Sequence, residues 1–436
     1  MSAVRLATAV LATGVVALLT LGAAPAPKAP GPDPADQAVR KIVASPAFKI
    51  AVATLDAQHD RTVADIVTLT EIPAPPFKEA AKGRAYMAML KAQGLSDVEM
   101  DAEGNVMGLR RGSGPAGGPV VVLAAHQDTV FPEGTNVKVR REGTRLYAPG
   151  VGDDTRSLAV VLAYIRALDA AKIVTKTDIL FVGDVGEEGP GDLRGMRYLF
   201  GKGKYKDRIK AFFSMDGNEA ARVTFGAVGS RRYRVAFHGP GGHSYGAFGI
   251  VNPMAAMGHA VDQLYETKVP TVPKVSYSAS VVSGGVSVNS IPADVTLEVD
   301  MRSESKEELA KLDARFLEIL KESADHENAA RSTRVGKVTV TPKLIGERPT
   351  GATSQDAAIV KTTAAAVRAL GYTPLLEASS TDSNIPISLG IPAVTIGSGG
   401  TGGRAHSLDE WIDVAKPESV RGMTVGLAAL LAMAGV

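Results

Sequence analysis

Cysteine is absent from this chain of 436 residues. That excludes disulfides, thiolate zinc sites, cysteine-ligated iron–sulfur clusters and a cysteine nucleophile. Any metal must therefore be held mainly by His, Asp and Glu. Histidine is scarce as well, seven residues in all, so each can be weighed singly. No sign of charge prevails: 48 Lys and Arg stand against 46 Asp and Glu, for a net charge of +2. Without a basic excess to neutralise phosphates, a nucleic-acid partner is disfavoured. Hydrophobic residues make up 45% and charged ones 22%, ordinary for a globular protein with a sizeable core. A length of 436 residues predicts about two to four domains, or one large domain carrying an insert.

The N-terminus carries one early cation, Arg5, then an uncharged and mostly apolar run from Ala7 to Leu21. Small residues follow at Gly22, Ala23 and Ala24. This is the three-part pattern of a secretory signal peptide, expected over 1–24, with cleavage near Ala24 or Ala26. The run falls short of the roughly 20 residues of a membrane span, and no lipobox cysteine is present, so no stable membrane anchor is expected after cleavage. An uncleaved anchor is the alternative. The expected destination is outside the cytoplasm, in a bacterial periplasm. Residues 25–37, rich in Pro and poor in large apolar groups, read as a disordered linker.

Beyond the linker, helices are expected from Phe48 to Leu69 and from Phe77 to Gln93. Short strands are expected at Val98–Met100 and Val106–Leu109. PVVVLAAH, DILFV (178–182) and AFFSM (211–215) are continuous apolar runs, the profile of strands buried on both faces. With a helix at Leu158–Leu168 between them, they predict a parallel or mixed α/β sheet. Near Val228 the pattern changes. RRYRVAFH (231–238) alternates, a helix follows at Asn252–Tyr265, then strands at Val275–Val282 and Ala293–Arg302. A helix from Lys306 to about Asp325 and a strand at Lys337–Thr341 complete a β-α-β-β-α-β order, the ferredoxin-like arrangement. From Thr353 the α/β pattern resumes, with a helix to Leu370, a strand at Pro392–Ile396 and a final helix over Pro417–Ala434. The expected organisation is an α/β catalytic domain (38–227 and 344–436) interrupted by an inserted α+β domain (228–343).

Polar residues gather at the C-terminal ends of the expected core strands, where open α/β sheets place ligands. His126 and Asp128 follow the first buried strand two residues apart, so in an extended segment they point the same way. Asp153 and Asp154 precede a helix; adjacent carboxylates repel unless a cation lies beside them. Glu187 and Glu188, flanked by Gly186 and Gly189, could divide into a ligand and a general base. Asp216 follows another strand, and His406 lies in a Gly-rich loop with Glu410 four residues on. Taken singly, each has a plain alternative: a strand-end histidine, a helix N-cap, a solvated acidic loop, a turn aspartate, a surface-loop histidine. Together they supply two imidazoles and several carboxylates without sulfur, a ligand set for two metal ions with one bridging Asp.

The ordered motifs H-x-D, G-D-D, E-E, D-G and a late H-x-x-x-E resemble the dizinc exopeptidase and amidohydrolase family. That family includes tripeptide aminopeptidase (peptidase T), glutamate carboxypeptidase G, succinyl-diaminopimelate desuccinylase and aminoacylase. The resemblance runs from about Asp60 to Ala434 and implies a mixed-sheet zinc-exopeptidase domain interrupted by a ferredoxin-like lid that also dimerises. It implies two zinc ions, replaceable by cobalt or manganese, with His126, Glu188, Asp216 and His406 as terminal ligands. Asp153 would bridge them through a peptide link to Asp154 that is often cis in relatives. Asp128 would orient His126, and Glu187 would be the general base activating water between the metals. His243 in the lid would stabilise the oxyanion, often in the partner subunit's site. Asn289 and Arg302 would contact substrate, Arg302 alternatively forming a lid salt bridge. The segment SSTDSNIPISLGIP, with Asp382 and Asn384, resembles the peptidase T side, with Asn384 as a further substrate contact. Many relatives carry Lys-Gly or Lys-Ala-Gly after the Asp pair, where this chain has Thr155-Arg156-Ser157. The implied activity is hydrolysis of short peptides, as an aminopeptidase, in a homodimer; N-acyl-amino-acid deacylase and carboxypeptidase are the alternatives.

Overall fold

The computed structural model describes residues 33–436. The expected leader and most of the expected linker lie outside the described residues. The linker's last part is corrected: a helix begins at Pro34 and runs to Ala44. Proline suits a helix's first turn, Asp36 complements its N-terminus, and Val39 is fully buried against the main core. Among the described residues, no helix is long and apolar enough to cross a membrane.

The centre is a mixed nine-stranded sheet. Its middle strands, Asp178–Asp184, Val120–His126, Ile209–Met215 and Ala393–Ile396, run parallel in that spatial order. Antiparallel strands flank them, with Val106–Arg110 and Ser96–Met100 on one side and Arg222–Ala227 on the other. The period-two rule explains why these runs are continuously apolar. Val121, Leu123 and Ala125 join one core with the helices Arg156–Ala170 and Lys416–Ala434. Val120, Val122 and Ala124 join another with Met196, Leu199 and Phe200 of the helix Arg194–Gly201. Both faces are therefore covered, as a parallel sheet requires.

The expected helix Phe48–Leu69 is two helices, Pro46–Ala57 and His59–Thr70, broken at Gln58. The break serves two cores: Phe48, Ala51 and Leu55 enter the main one, while Val63 and Ile66 pack with Leu146, Val151 and Ile412. That second cluster lies against a four-stranded antiparallel sheet that periodicity did not foretell. It is built from Arg140–Glu142, Arg145–Tyr147, Trp411–Asp413 and Thr401–Gly403.

The inserted segment forms its own antiparallel sheet in the spatial order Val275–Gly284, Asp294–Ser303, Gly229–His238, Thr339–Arg348. This is the ferredoxin-like order. Helices Pro253–Glu266 and Lys306–Ala330 cover one face through Ala256, Ala260, Leu264, Phe316 and Ile319. The last strand continues to Arg348, past the boundary expected at 343, and Arg348 pairs in register with Ser230. The two chain exits from this lid thus lie side by side.

Phe316 is fully buried in the lid's separate core. Phe316→Ala should therefore cost about 3–5 kcal/mol in chemical denaturation of the lid. The native metal content, measured on the folded variant, should be unchanged.

Candidate metal centre

The small antiparallel sheet is what assembles the site. Strand Trp411–Asp413 pairs with Arg145–Tyr147 on one side and Thr401–Gly403 on the other. The loop between its two C-terminal strands holds His406 and Glu410, and the turn after Tyr147 holds Asp153. Residues far apart in the chain thereby meet. His126 and Glu187–Glu188 arrive from adjacent parallel strands, in which His126 and Asp184 are register partners.

Asp153 stands in the middle. Its Oδ1 lies 3.0 Å from His126 Nε2 and its Oδ2 lies 3.1 Å from His406 Nε2. His406 Nε2 is also 3.0 Å from Glu188 Oε1. Beside a third triad, His126–Glu187–Glu188, two donor triads result, His126–Asp153–Asp216 and Asp153–Glu188–His406, each with ligand atoms within 4.8 Å of one another. Asp153 belongs to both. The Asp153–Asp154 peptide is cis, as the resemblance implies.

The supporting bonds are numerous. Glu410 accepts the backbone N–H of Gly150, Gly152 and Asp153 at 2.7, 2.8 and 2.8 Å. Asp128 accepts those of Gly186, Glu187 and Glu188 at 2.9, 3.2 and 2.9 Å. Its carboxylate therefore cages the Glu–Glu loop. Toward His126 it acts chiefly through its backbone carbonyl, 3.0 Å from Nδ1, the carboxylate oxygen being 3.7 Å away. A metal-binding imidazole is oriented in this way, by what its other nitrogen bonds to.

The electrostatics fit cations. Buried carboxylates crowd the site, and burial together with neighbouring Asp153 pushes Asp216 up to about 6. Hydrogen bonds to Asp153 and Glu188 push His406 up to about 10. Burial pushes Glu187 up to about 8, against the pull of Arg348 and with the repulsion of Glu188. Burial would also raise Asp153, but bonds from both imidazoles hold it below the usual carboxylate range. Protons are thus held tightly where divalent ions would neutralise the same negative charge. Oxygen and nitrogen donors without sulfur suit zinc, cobalt or manganese.

A sequence profile of peptidase family M20/M25/M40 matches residues 122–432. The chain belongs to this family. Among curated proteins it is similar to carboxypeptidase G2 of a Pseudomonas species, 26% identical over 233 residues. That match covers 51% of this chain and 54% of the relative, so it spans about half of that protein's length. Among solved structures, a tripeptidase from Staphylococcus aureus has a TM-score of 0.71 at 20% identity, covering 86% of this chain and 98% of that one. A Bacillus subtilis protein described as a dinuclear metal binding peptidase of the M20 family has a TM-score of 0.62 at 18% identity, covering 86% and 99%. At such identities these neighbours attest the fold.

Against this M20 frame, the structure brings together His126, Asp128, Asp153, Glu187, Glu188, Asp216 and His406. Arg302 also lines the cavity at the metal centre, while pairing with Asp300 at 2.7 Å, so both of its expected roles remain. His243 and Asn289 are not at the centre; they line a separate cavity of 680 Å³ on the lid. Asn384 is corrected as a substrate contact. It is fully buried, and its amide bonds Val228 O, Pro349 O and Thr381 N where the lid joins the catalytic domain.

Two buried cations at the site carry no mark in the sequence. Arg348 is buried beside Glu187, donating to Glu187 Oε1 at 2.9 Å and to its backbone carbonyl. Lys82 is also buried, its Nζ 3.4 Å from Thr155 Oγ1. Burial lowers its pKa to about 8, while Asp128, Asp154 and Glu410 hold it up. Nothing in local spacing marked either residue: one ends a strand, the other sits on an ordinary amphipathic helix. Arg156, which follows the Asp pair, is buried and donates to Ser419 Oγ at 2.8 Å, which ties this helix to the C-terminal one.

Two outcomes follow. Glu410→Ala frees three backbone N–H groups that fix Asp153, so metal affinity should fall about 10–100-fold in competition with a chelator. In the metal-free protein His406 holds its proton to about pH 10. Metal uptake at neutral pH must then release protons, and affinity must rise with pH. Calorimetry in buffers of different ionisation enthalpy will show that release; buffer-independent heats would contradict it.

Proposed function

We propose that the protein is an exported dizinc peptidase that hydrolyses amide bonds of short peptides, releasing the N-terminal residue. The observation that carries the reading is the shared Asp153: two triads of N and O donors meet on one carboxylate, with Glu187, paired to Arg348, beside them. His126, Asp216 and Asp153 would hold one ion; Glu188, His406 and Asp153 the other. Two such ions supply Lewis acidity toward an amide carbonyl and a lowered pKa for water.

The chain's own residues do the rest. Glu187 accepts a proton from the attacking water and returns it to the leaving amine. Its raised affinity for a proton suits both halves of that task, and Arg348 at 2.9 Å keeps the carboxylate in place. Arg232, Arg302 and Arg348 line the same 330 Å³ cavity as Glu187, and guanidinium groups bind carboxylates in a two-pronged fork. They suit the carboxylate of a peptide or acyl-amino acid. His243 and Asn289 would serve from the lid of a second copy, since they lie apart from this chain's own centre. The lid's outer strand, with Val281 and Val282 exposed, offers an edge for such a dimer. The leader at 1–24 supports export to a periplasm.

The runner-up is an N-acyl-amino-acid deacylase or carboxypeptidase, favoured by the similarity to carboxypeptidase G2. Product identification separates them: a free N-terminal residue from a tripeptide, a free C-terminal residue, or acetate from an N-acetyl amino acid. Glu187→Gln should lower turnover by at least about 100-fold while zinc content, read by elemental analysis, stays near two per chain. Wild-type turnover in that variant would end the assignment.

A further inference from the structure

The cavity at the metal centre does not stop at Glu187. Gly189, Arg232 and Arg302 line both it and a larger cleft of 950 Å³. The larger cleft lies on the lid sheet's open face, opposite its two helices. Strand alternation sets what faces it. Tyr233, Val235 and Phe237 pack toward the helices, so Arg232 and Arg234 project the other way. Their register partners Asp300 and Glu298 lie beside them, and Lys343 stands opposite Arg234 on the neighbouring strand.

The charge there is unbalanced. Four cations, Arg232, Arg234, Arg302 and Lys343, line a cleft that has two carboxylates, Glu298 and Asp300. Arg232 and Arg302 share Asp300, at 3.0 and 2.7 Å, and Arg234 takes Glu298 at 2.7 Å. Lys343 has no ion-pair partner among the described residues. Exposed pairs of this kind add little stability, so a surplus of cations here is not explained by folding. From the catalytic side, Phe77 closes the wall with 62% of its surface exposed and a backbone φ of 66°. Its ring lies under the Arg194 guanidinium, 5.3 Å from the ring centroid, and the rest of it gives the cleft an apolar surface.

Direction follows from Glu187. The leaving amine collects its proton there, so the part of a peptide beyond the scissile bond must run to this side. We infer that this cleft is an extended leaving-group subsite for the acidic C-terminal part of a peptide, with Lys343 and Arg234 taking a carboxylate beyond the first leaving residue. The inference rests on the peptidase reading and adds the substrate class: peptides longer than two residues with negative charge at the far end.

The test uses the zinc-loaded full-length protein and three tetrapeptides, Ala-Gly-Gly-Glu, Ala-Gly-Gly-Gln and Ala-Gly-Gly-Lys. The Glu peptide should exceed the Gln peptide about five-fold in kcat/KM, and the Lys peptide should be poorest. Raising salt to about 0.5 M should shrink the difference. Lys343→Glu should reverse the order, and Arg234→Gln, a milder change, should flatten it. The Glu187→Gln protein, titrated with the same peptides, should show the same order in Kd without turnover. Equal kcat/KM and equal Kd for all three would overturn the subsite and leave the peptidase standing. Failure of zinc-loaded protein to cleave any peptide would overturn both.

Discussion

One carboxylate, that of Asp153, is the point on which the site turns. It faces an imidazole on each side at 3.0 and 3.1 Å, so it closes both donor triads at once. Such a residue tolerates little displacement, and its surroundings are built accordingly. Glu410 grips three successive portions of the loop through their N–H groups. Gly152 leaves no room for a side chain, since a Cβ there would meet Ile412 at 2.9 Å and Glu410 at 3.0 Å. Glycine is thus required by close approach. The loop's position is fixed in turn by the small antiparallel sheet, which exists to join Arg145–Tyr147 to Trp411–Asp413.

What could be read from the sequence follows a physical divide. The buried parallel strands were legible because burial on both faces forces continuous β-branched runs, as in VVVLAAH. The lid was legible because one buried face forces alternation, as in RRYRVAFH. His126, Glu188 and Asp216 were legible because they sit just past buried parallel strands, and Asp153 and His406 through the paired aspartates and the Gly-rich loop that carry them. Hidden were the elements with no such signature. Strands of three residues, such as Arg145–Tyr147, are too short to show a period. Gln58 breaks a helix without Gly or Pro, because two cores compete for its faces. Arg348 and Lys82 are buried cations whose partners, Glu187 and the carboxylates around Asp154, are distant in the chain. Asn384 sits in a motif that suggests ligand contact, yet it is buried, its amide N–H groups bonding Val228 O and Pro349 O at the two connections and its oxygen accepting from Thr381 N.

The loop of Glu187 and Glu188 is held from two directions, and the two holds differ in kind. From the catalytic domain, Asp128 fixes its backbone. From the lid, Arg232 donates to Gly189 O at 2.9 Å, and Glu347 N donates to Asp192 Oδ1 at 2.9 Å. The turn just after the glutamates is therefore a shared part of both domains. Lid position and the shape of the glutamate loop are mechanically linked through it.

Arg348 occupies a special place in that linkage. It ends the lid's last strand, in register with Ser230 at the start of the lid's first strand. Both connections between the domains pass this point. Its partner is Glu187, the carboxylate proposed above as the general base. Removing a neighbour from a buried charge pair is costly, and it shifts the remaining group's pKa strongly. The pair sits where both connections between the two domains meet. Arg232 reaches Gly189 from further along its strand and bonds a carbonyl oxygen there, a neutral acceptor and so a weaker hold than the charged pair of Arg348 with Glu187.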